Sequence, residues 1–202
     1  YPEAPNIKNE LTNKSRVSGS ANHAIRILLN KMVSNENEFQ LGIEKSPPEL
    51  TIYKSYLKEF GIHINSKGKY IFVFPKKDPL KSMWYHAIDE IKKSSEPLHS
   101  EEIFKIWSRP PYGIKRGVFP ILLMMFIVTN KNTLATYNEN VFVTDFDDLF
   151  VECLVKMTRL FSFAYVDFKN VSEKEGKQII DSLEINKRII KTMDYDEKYK
   201  KM

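Results

Sequence analysis

Cysteine is nearly absent from the sequence, with Cys153 the only one in 202 residues. A single cysteine excludes an internal disulfide bond, and no stretch resembles a secretion signal, so a cytoplasmic location is expected. Long hydrophobic runs are also missing. The longest one, from Val118 to Val128, is well short of the roughly 20 residues that cross a bilayer, so we expect no membrane partner.

Residues that could carry catalysis are few and dispersed. The four histidines lie on separate predicted elements without metal-ligand spacing: His23, His63, His86 and His99. Cys153 stands on the apolar side of a predicted helix, which favours packing over reactivity. Asp145, Asp147 and Asp148 are explained more simply as acids opening a helix than as a cation site. We therefore expect no catalytic residue, metal or cofactor, and the chain is not an enzyme by itself.

Neither sign of charge is in large excess. Lysine and arginine total 31 against 26 acidic residues, which gives a net charge of +5 and a sequence pI near 9.0. This balance favours an anionic partner only mildly and is far from that of an arginine-rich nucleic-acid binder. Composition therefore leaves both a DNA partner and a protein partner open.

The apolar periodicity predicts a mainly α-helical protein with small β-hairpins, an α+β fold built from tandem winged-helix-like units. Residues 1–17 are polar and proline-punctuated, and we interpret them as a lead-in from an upstream domain. Three further segments are predicted: a reduced winged-helix-like unit at 18–77, a winged helix-turn-helix unit at 78–145, and a C-terminal helix–strand–helix extension at 146–202. The chain opens without an initiator methionine, so we expect a domain of a longer protein, or a processed or trimmed one.

In the first unit, a helix capped by Ser18 or Ser20 precedes a second helix that runs from Pro48 to a terminal Gly61. A hairpin over residues 62–74 completes it. The order of elements is that of a winged helix with one helix missing.

In the second unit, Asp78 is expected to cap a helix that begins at Pro79, and Ser100 to cap the next one. The run Val118–Val128 is apolar on every side, which is typical of a buried helix. A hairpin over residues 134–143 follows. This order is that of a full winged helix-turn-helix.

The extension is expected to contain a helix that runs to about Leu160, a strand over 161–168 and a helix capped by Ser172. Its last residues, from Asp194 onwards, are charged and are expected to fray.

A loop between the helices of the second unit is predicted to be structural. Pro110 and Pro111 end the preceding helix because neither offers an N–H. Gly113 and Gly117 are expected in conformations that a side chain would strain. The predicted structural residues are Pro110, Pro111, Tyr112, Gly113 and Gly117.

Several blocks of the chain, taken together, carry a resemblance. They are Asn9-Glu10-Leu11, Leu41-Gly42-Ile43, Pro48–Tyr53, Leu57–His63, the Pro110–Gly117 loop with its apolar helix, and the hairpin Thr136–Val143. From about residue 2 to 165, the chain resembles the region C-terminal to the nucleotide-binding domain of large bacterial P-loop ATPases of phage-defence islands. The resemblance implies antiviral defence work coupled to ATP and to an upstream ATPase domain or defence-complex subunits. The chain itself lacks a Gly-x-x-x-x-Gly-Lys-Ser/Thr loop, so ATP hydrolysis is not assigned to it.

Candidate nucleic-acid contacts are lysines of the first unit. A winged helix reads the major groove with the helix before its wing, and the wing contacts phosphates. The first unit offers lysines on both elements and just after them: Lys54, Lys58, Lys67, Lys69, Lys76 and Lys77. A merely solvated lysine-rich surface is the competing interpretation. In the second unit, Lys115 and Arg116 precede the buried helix and are candidates for an anion or an interdomain contact.

Two functions remain open from the sequence. The first is a non-catalytic winged-helix accessory region that couples a larger P-loop ATPase to weakly and non-specifically bound duplex DNA or to other domains. The second is a protein-interaction scaffold that never contacts nucleic acid. The apolar second-unit helix favours the scaffold, and the lysines of the first hairpin favour DNA binding.

Overall fold

A computed structural model describes residues 1–166 of the chain. This part is a mixed α+β fold of six α-helices and two small antiparallel sheets. The helices are α1 Gly19–Ser34, α2 Pro48–Tyr53, α3 Leu80–Lys93, α4 Ser100–Ser108, α5 Phe119–Thr129 and α6 Asp148–Lys156. The strands are β1 His63–Ser66, β2 Lys69–Phe72, β3 Leu98–His99, β4 Leu134–Asn138, β5 Val141–Phe142 and β6 Phe161–Tyr165. The predicted helix capped by Ser172 lies outside the described residues.

The first helix is as predicted. The Ser18 side chain accepts a hydrogen bond from the Ala21 amide, which satisfies one of the free donors of the first turn. Ala21 through Met32 supply the buried face at helical spacing. The second helix also begins at Pro48, but after Tyr53 it continues as a π-helical turn, Lys54–Lys58.

The first hairpin is confirmed, with a register that pairs His63 with Phe72 and Ser66 with Lys69. Its two turn residues, Lys67 and Gly68, have φ of 53° and 88°. Positive φ at both central positions is the geometry that matches the twist of paired strands. Gly61, which ends the second helix, also has a positive φ, of 62°.

The apolar helix α5 is buried on all sides, as its composition predicts. Every residue from Ile121 to Val128 is buried. Trp84 of α3 and Trp107 of α4 stack with ring centroids 5.1 Å apart, and Phe126 meets both edge-on. Such offset and edge-on pairs add to the free energy of burial. The buried apolar residues on α1 to α6 belong to one continuous core.

The second sheet has the strand order β3-β6-β4-β5, with all pairs antiparallel. The predicted strand at 161–168 forms over Phe161–Tyr165 as β6, and its last two residues lie outside the described ones. Strand β6 pairs on one side with β3 and on the other with the hairpin strand β4. Phe161 and Phe163 point from it into the core. A strand that we assigned to the extension thus completes the sheet to which the second hairpin belongs.

Three predicted helix boundaries are wrong in detail. Helix α4 begins at Ser100 itself, whose hydroxyl is buried and donates to the carbonyl of Thr158 at 2.5 Å instead of capping the helix. Helix α3 begins at Leu80, one residue after Pro79, although the Asp78 carboxylate does accept from the Ser82 amide. Helix α6 ends at Lys156, and a separate 3-10 turn follows up to Leu160.

The Pro110–Gly117 loop ends α4 as predicted, and Gly113 has the expected positive φ, of 69°. The expectation for Gly117 is wrong, because its φ is not in the positive range. Gly117 is needed for a different reason. Its amide donates to the carbonyl of Lys14 at 2.8 Å, and a β-carbon there would lie against that carbonyl and 2.8 Å from the carbonyl of Thr12.

The lead-in is therefore packed onto this loop. Asn9 folds it into a turn by accepting from the Thr12 amide and hydroxyl, and the Thr12 hydroxyl meets the Tyr56 hydroxyl at 2.5 Å. Burial raises the pKa of the Tyr56 phenol, and the hydrogen bond with Thr12 opposes that rise. Residues of the lead-in thus join the π-helical turn after α2 to the loop before α5.

Candidate nucleic-acid interface

The six candidate lysines are all exposed. Lys67 lies in the hairpin turn, Lys69 begins β2, and Lys76 and Lys77 lie in the segment between β2 and α3. Within residues 1–166, none of the six side chains forms an ion pair with the chain. Their charges are therefore not neutralised by carboxylates of the same surface.

His63, the first residue of β1, anchors the hairpin that carries Lys67 and Lys69. Its side chain is 5% exposed. The His63 Nε2 lies 2.6 Å from the carbonyl of Glu36, and its Nδ1 lies 3.0 Å from the Tyr53 hydroxyl. Because a carbonyl only accepts, Nε2 carries a proton. In the neutral imidazole, which burial favours, Nδ1 then accepts from the Tyr53 phenol, and both nitrogens are bonded.

Aromatic rings surround this histidine. Its ring packs on Tyr70 and Phe72 of β2 at 5.1 and 4.9 Å between centroids. Burial lowers the pKa of His63, and its hydrogen bond to the Glu36 carbonyl opposes that shift in part. Burial also raises the pKa of Tyr53 to about 12, with a contribution from Tyr70. The hairpin is therefore packed on a cluster of uncharged side chains around His63.

Lys54 and Lys58 are four residues apart in the π-helical turn, and both are exposed, whereas Tyr56 and Leu57 between them are buried. The neighbouring polar residue Ser55 is half-buried, and its hydroxyl donates to the carbonyl of Thr51 at 2.9 Å. The helix before the first hairpin thus presents lysines outward and few free hydrogen-bonding groups that could read bases.

Lys115 and Arg116 have different surroundings. The Lys115 ammonium is exposed and donates to the carbonyl of Asn13 at 3.2 Å. The Arg116 guanidinium makes a bidentate pair with Glu101, at 2.6 and 3.0 Å, and lies 4.4 Å from the ring centroid of Phe104. Arg116 therefore already ties the start of α5 to α4.

The helix before the second hairpin cannot read DNA, because all but the ends of α5 are inside the core. Beyond its end, Lys131 pairs with Glu36 at 3.0 Å. This ion pair connects the turn before the second hairpin to Glu36, whose carbonyl accepts a hydrogen bond from His63 of the first hairpin. Helix α5 and the Lys131–Glu36 pair thus serve packing.

A second basic surface was missed from the sequence. A cavity of about 280 Å³ lies between the lead-in, the start of α5 and the end of α6, and Arg16, Arg116, Lys156 and Arg159 are among its lining residues. A neighbouring cavity of about 430 Å³ shares Lys156 and adds Arg26. We call these two cavities the basic groove. Its residues are scattered along the chain without a motif, and no sequence signal marks it.

Among the described residues, no group of three or more histidine, cysteine, aspartate or glutamate side chains is arranged to hold a metal ion. In the same part of the chain, no helix combines the length and the apolar character needed to span a membrane.

Comparison of the chain with protein-family models, with curated protein sequences and with solved structures finds no match. The function is therefore inferred from the geometry and the chemistry of the chain's own residues.

Proposed function

We propose that this chain is a non-catalytic, winged-helix-like accessory region of a larger cytoplasmic P-loop ATPase of the bacterial defence type, and that it contacts duplex DNA through its first hairpin. Two winged-helix-like units are proposed, at 18–77 and 78–145. The resemblance of the Pro110–Gly117 loop and its neighbouring blocks to that family supports the assignment to such a parent.

The observation that carries the DNA contact is the group of six exposed lysines without carboxylate partners on and around the hairpin. Lys67 and Lys69 lie at the tip and the start of β2, where a wing meets the phosphate backbone. The hairpin is held by the His63 contacts with Tyr53 and the Glu36 carbonyl. A fixed hairpin loses less conformational freedom on binding than a free loop does.

The expected binding is weak and independent of sequence. Lysine is a compact charge on a flexible stem and contacts phosphates without reading base edges. Ser55, the neighbouring polar side chain on the helix, is bonded within the chain and offers no base-reading donor. Affinity should therefore come from counterion release and decrease as salt is raised.

The test is a fluorescence-anisotropy titration of a short duplex with the wild-type chain and two charge-matched variants. Lys67→Glu/Lys69→Glu should abolish binding at low salt. The control, Lys92→Glu/Lys93→Glu, makes the same change in charge at the end of α3 and should bind within about twofold of wild type. Both variants should keep the far-UV circular dichroism of the parent, because exposed charge changes usually alter stability by no more than about 0.5 kcal/mol. Equal loss in the two variants would show that only net charge matters, and would contradict a hairpin contact.

The alternative function, a scaffold for protein partners, is favoured by apolar side chains exposed near the second hairpin. Val141 of the edge strand β5 is 69% exposed, and Leu149 at the start of α6 is 68% exposed. Apolar residues at a sheet edge are suited to contact with another chain. The absence of duplex binding by the wild-type chain at low salt would favour this scaffold function over the DNA contact.

A further inference from the structure

Positively charged side chains are more concentrated in the basic groove than the sequence predicts. Four of the chain's six arginines line its two cavities, together with Lys156. They come from distant positions in the chain: the lead-in supplies Arg16, α1 supplies Arg26, the turn before α5 supplies Arg116, and the turn after α6 supplies Arg159. The overall net charge of only +5 does not account for this concentration.

Carboxylates neutralise only part of that charge. Arg116 pairs with Glu101, and Lys156 pairs with Glu152. The pair with Lys156 lowers the pKa of Glu152, with a smaller contribution from Arg26, so this carboxylate is ionised at neutral pH. Only two of the five cations are thus paired with a carboxylate. Within residues 1–166, Arg16 and Arg159 have no ion pair or hydrogen bond from their side chains.

Keeping like charges together is unfavourable unless an anion is bound between them. Arginine is the side chain best suited to the planar, bidentate recognition of phosphate oxygens. Ser15, Asn22 and Thr158 add neutral polar groups to the cavity lining. The 280 Å³ cavity, which contains Arg16, Arg116 and Arg159, has no aromatic ring among its lining residues, and the neighbouring cavity has only that of His23. Recognition at these three arginines would therefore be directed at phosphate groups and not at a nucleobase.

We propose that the basic groove is a phosphate-binding site, separate from the first hairpin, in which the unpaired Arg16 and Arg159 bind the phosphates of one ligand and Arg116, held by Glu101, adds positive charge beside them. Its inner cavity of about 280 Å³ is close to the lower end of the size range of small-ligand pockets, which suits a group of two or three phosphates. The neighbouring cavity, which contains Arg26, extends the site for a longer anion. The phosphates belong either to a small phosphorylated molecule or to a nucleic-acid backbone, and both present the same chemistry.

The test uses inorganic pyrophosphate as the probe, in isothermal titration calorimetry at low salt. The wild-type chain should show saturable binding. Arg16→Gln/Arg159→Gln should weaken it by about a hundredfold, because each of the two lost charge-assisted hydrogen bonds is worth about one order of magnitude in affinity. Both residues are exposed, so the double variant should keep the thermal unfolding midpoint of the parent.

Two comparisons make the result specific. Lys67→Gln/Lys69→Gln, with the same loss of charge on the hairpin, should bind pyrophosphate as the wild type does. A single-stranded oligothymidylate should then be titrated against the pyrophosphate complex. Displacement identifies a nucleic-acid backbone as the ligand, and its absence identifies a small phosphorylated molecule; either outcome supports the site. No saturable binding of pyrophosphate, or equal weakening in the groove and hairpin variants, would overturn the proposal.

Discussion

At the scale of single residues, the two glycines of the Pro110–Gly117 loop are required for different physical reasons. Gly113 has a left-handed backbone, and the nearest obstacle to a side chain is the ring of Tyr1, which is 70% exposed and free to move. Gly117 has ordinary φ but lies against backbone carbonyls of the lead-in. Backbone cannot move aside as a flexible side chain can.

We therefore expect Gly117→Ala to destabilise the chain more than Gly113→Ala does. The change at Gly113 should cost about 1 kcal/mol, the strain of a left-handed residue with a β-carbon. The change at Gly117 should cost about 2–3 kcal/mol, as overpacking does when the neighbours cannot relax. Urea unfolding of both variants measures the two free energies. A neutral Gly117→Ala would show that the lead-in is not packed on this loop.

His63 should make the stability of the chain depend on pH. Its pKa is lowered in the folded state, so between that value and the unfolded value of about 6.5 the unfolded chain binds more protons. Stability from this group is therefore complete above about pH 6.5 and is lost as the pH falls below it, by at most about 1.4 kcal/mol per pH unit.

The measurement is urea unfolding at pH 7.5 and 5.5 for the wild type, His63→Gln and His99→Gln. His99 is exposed, and its replacement should leave the loss at low pH unchanged. His63→Gln should reduce that loss, although it lowers stability at both pH values. If all three proteins lost the same amount, His63 would not be the group that titrates.

At the scale of elements, local patterns predicted most of the helices and both hairpins. The apolar spacing from Ala21 to Met32, the cap at Ser18 and the Lys67-Gly68 turn are short-range signals, and the structure contains all three. The place of β6 could not be predicted in this way. It pairs with β3 and β4, which are distant in sequence, and pairing between distant strands leaves no periodic trace.

A contact between distant parts of the chain also explains why Ser100 does not cap helix α4. Its position before two acids is typical of a helix cap, but the 3-10 turn at Thr158 brings a carbonyl to its hydroxyl, and this tertiary contact replaces the local one. The arginines of the basic groove were missed for a similar reason, since only the packing of α6 on α1 and α5 brings them together.

The central position of β6 has a direct test. Ser162 lies opposite His99 on one side and Tyr137 on the other. Ser162→Pro should destabilise the chain by about 3 kcal/mol or more, because proline removes a ladder donor and does not fit a central strand. Phe142→Pro, on the edge strand β5, is the control and should cost much less, because the register turns the N–H of Phe142 away from β4. The thermal unfolding midpoints of the two variants test this prediction. Equal losses of stability in both variants would contradict the strand order.

At the scale of the whole molecule, the charge is modest but unevenly placed. One set of cations surrounds the first hairpin and another lines the basic groove, while helix α5 is buried in the core. The sequence marked the hairpin set, because its lysines cluster around a recognisable turn. It did not mark the groove, which exists only in the folded chain. Both surfaces are suited to binding phosphate groups. The hairpin suits those of a duplex, and the concave groove suits those of a ligand that fits inside it.

The central claim is that the first hairpin meets phosphates of duplex DNA, and the salt dependence of binding tests it most directly. Contact with about three phosphates predicts a slope near −2.7 in a plot of log K against log salt concentration. The duplex titration should be carried out with wild-type protein over a series of salt concentrations, and repeated with Lys67→Gln/Lys69→Gln, for which the slope should approach about −0.9. A wild-type chain that fails to bind at the lowest salt, or a slope that is the same in the two proteins, would contradict the account.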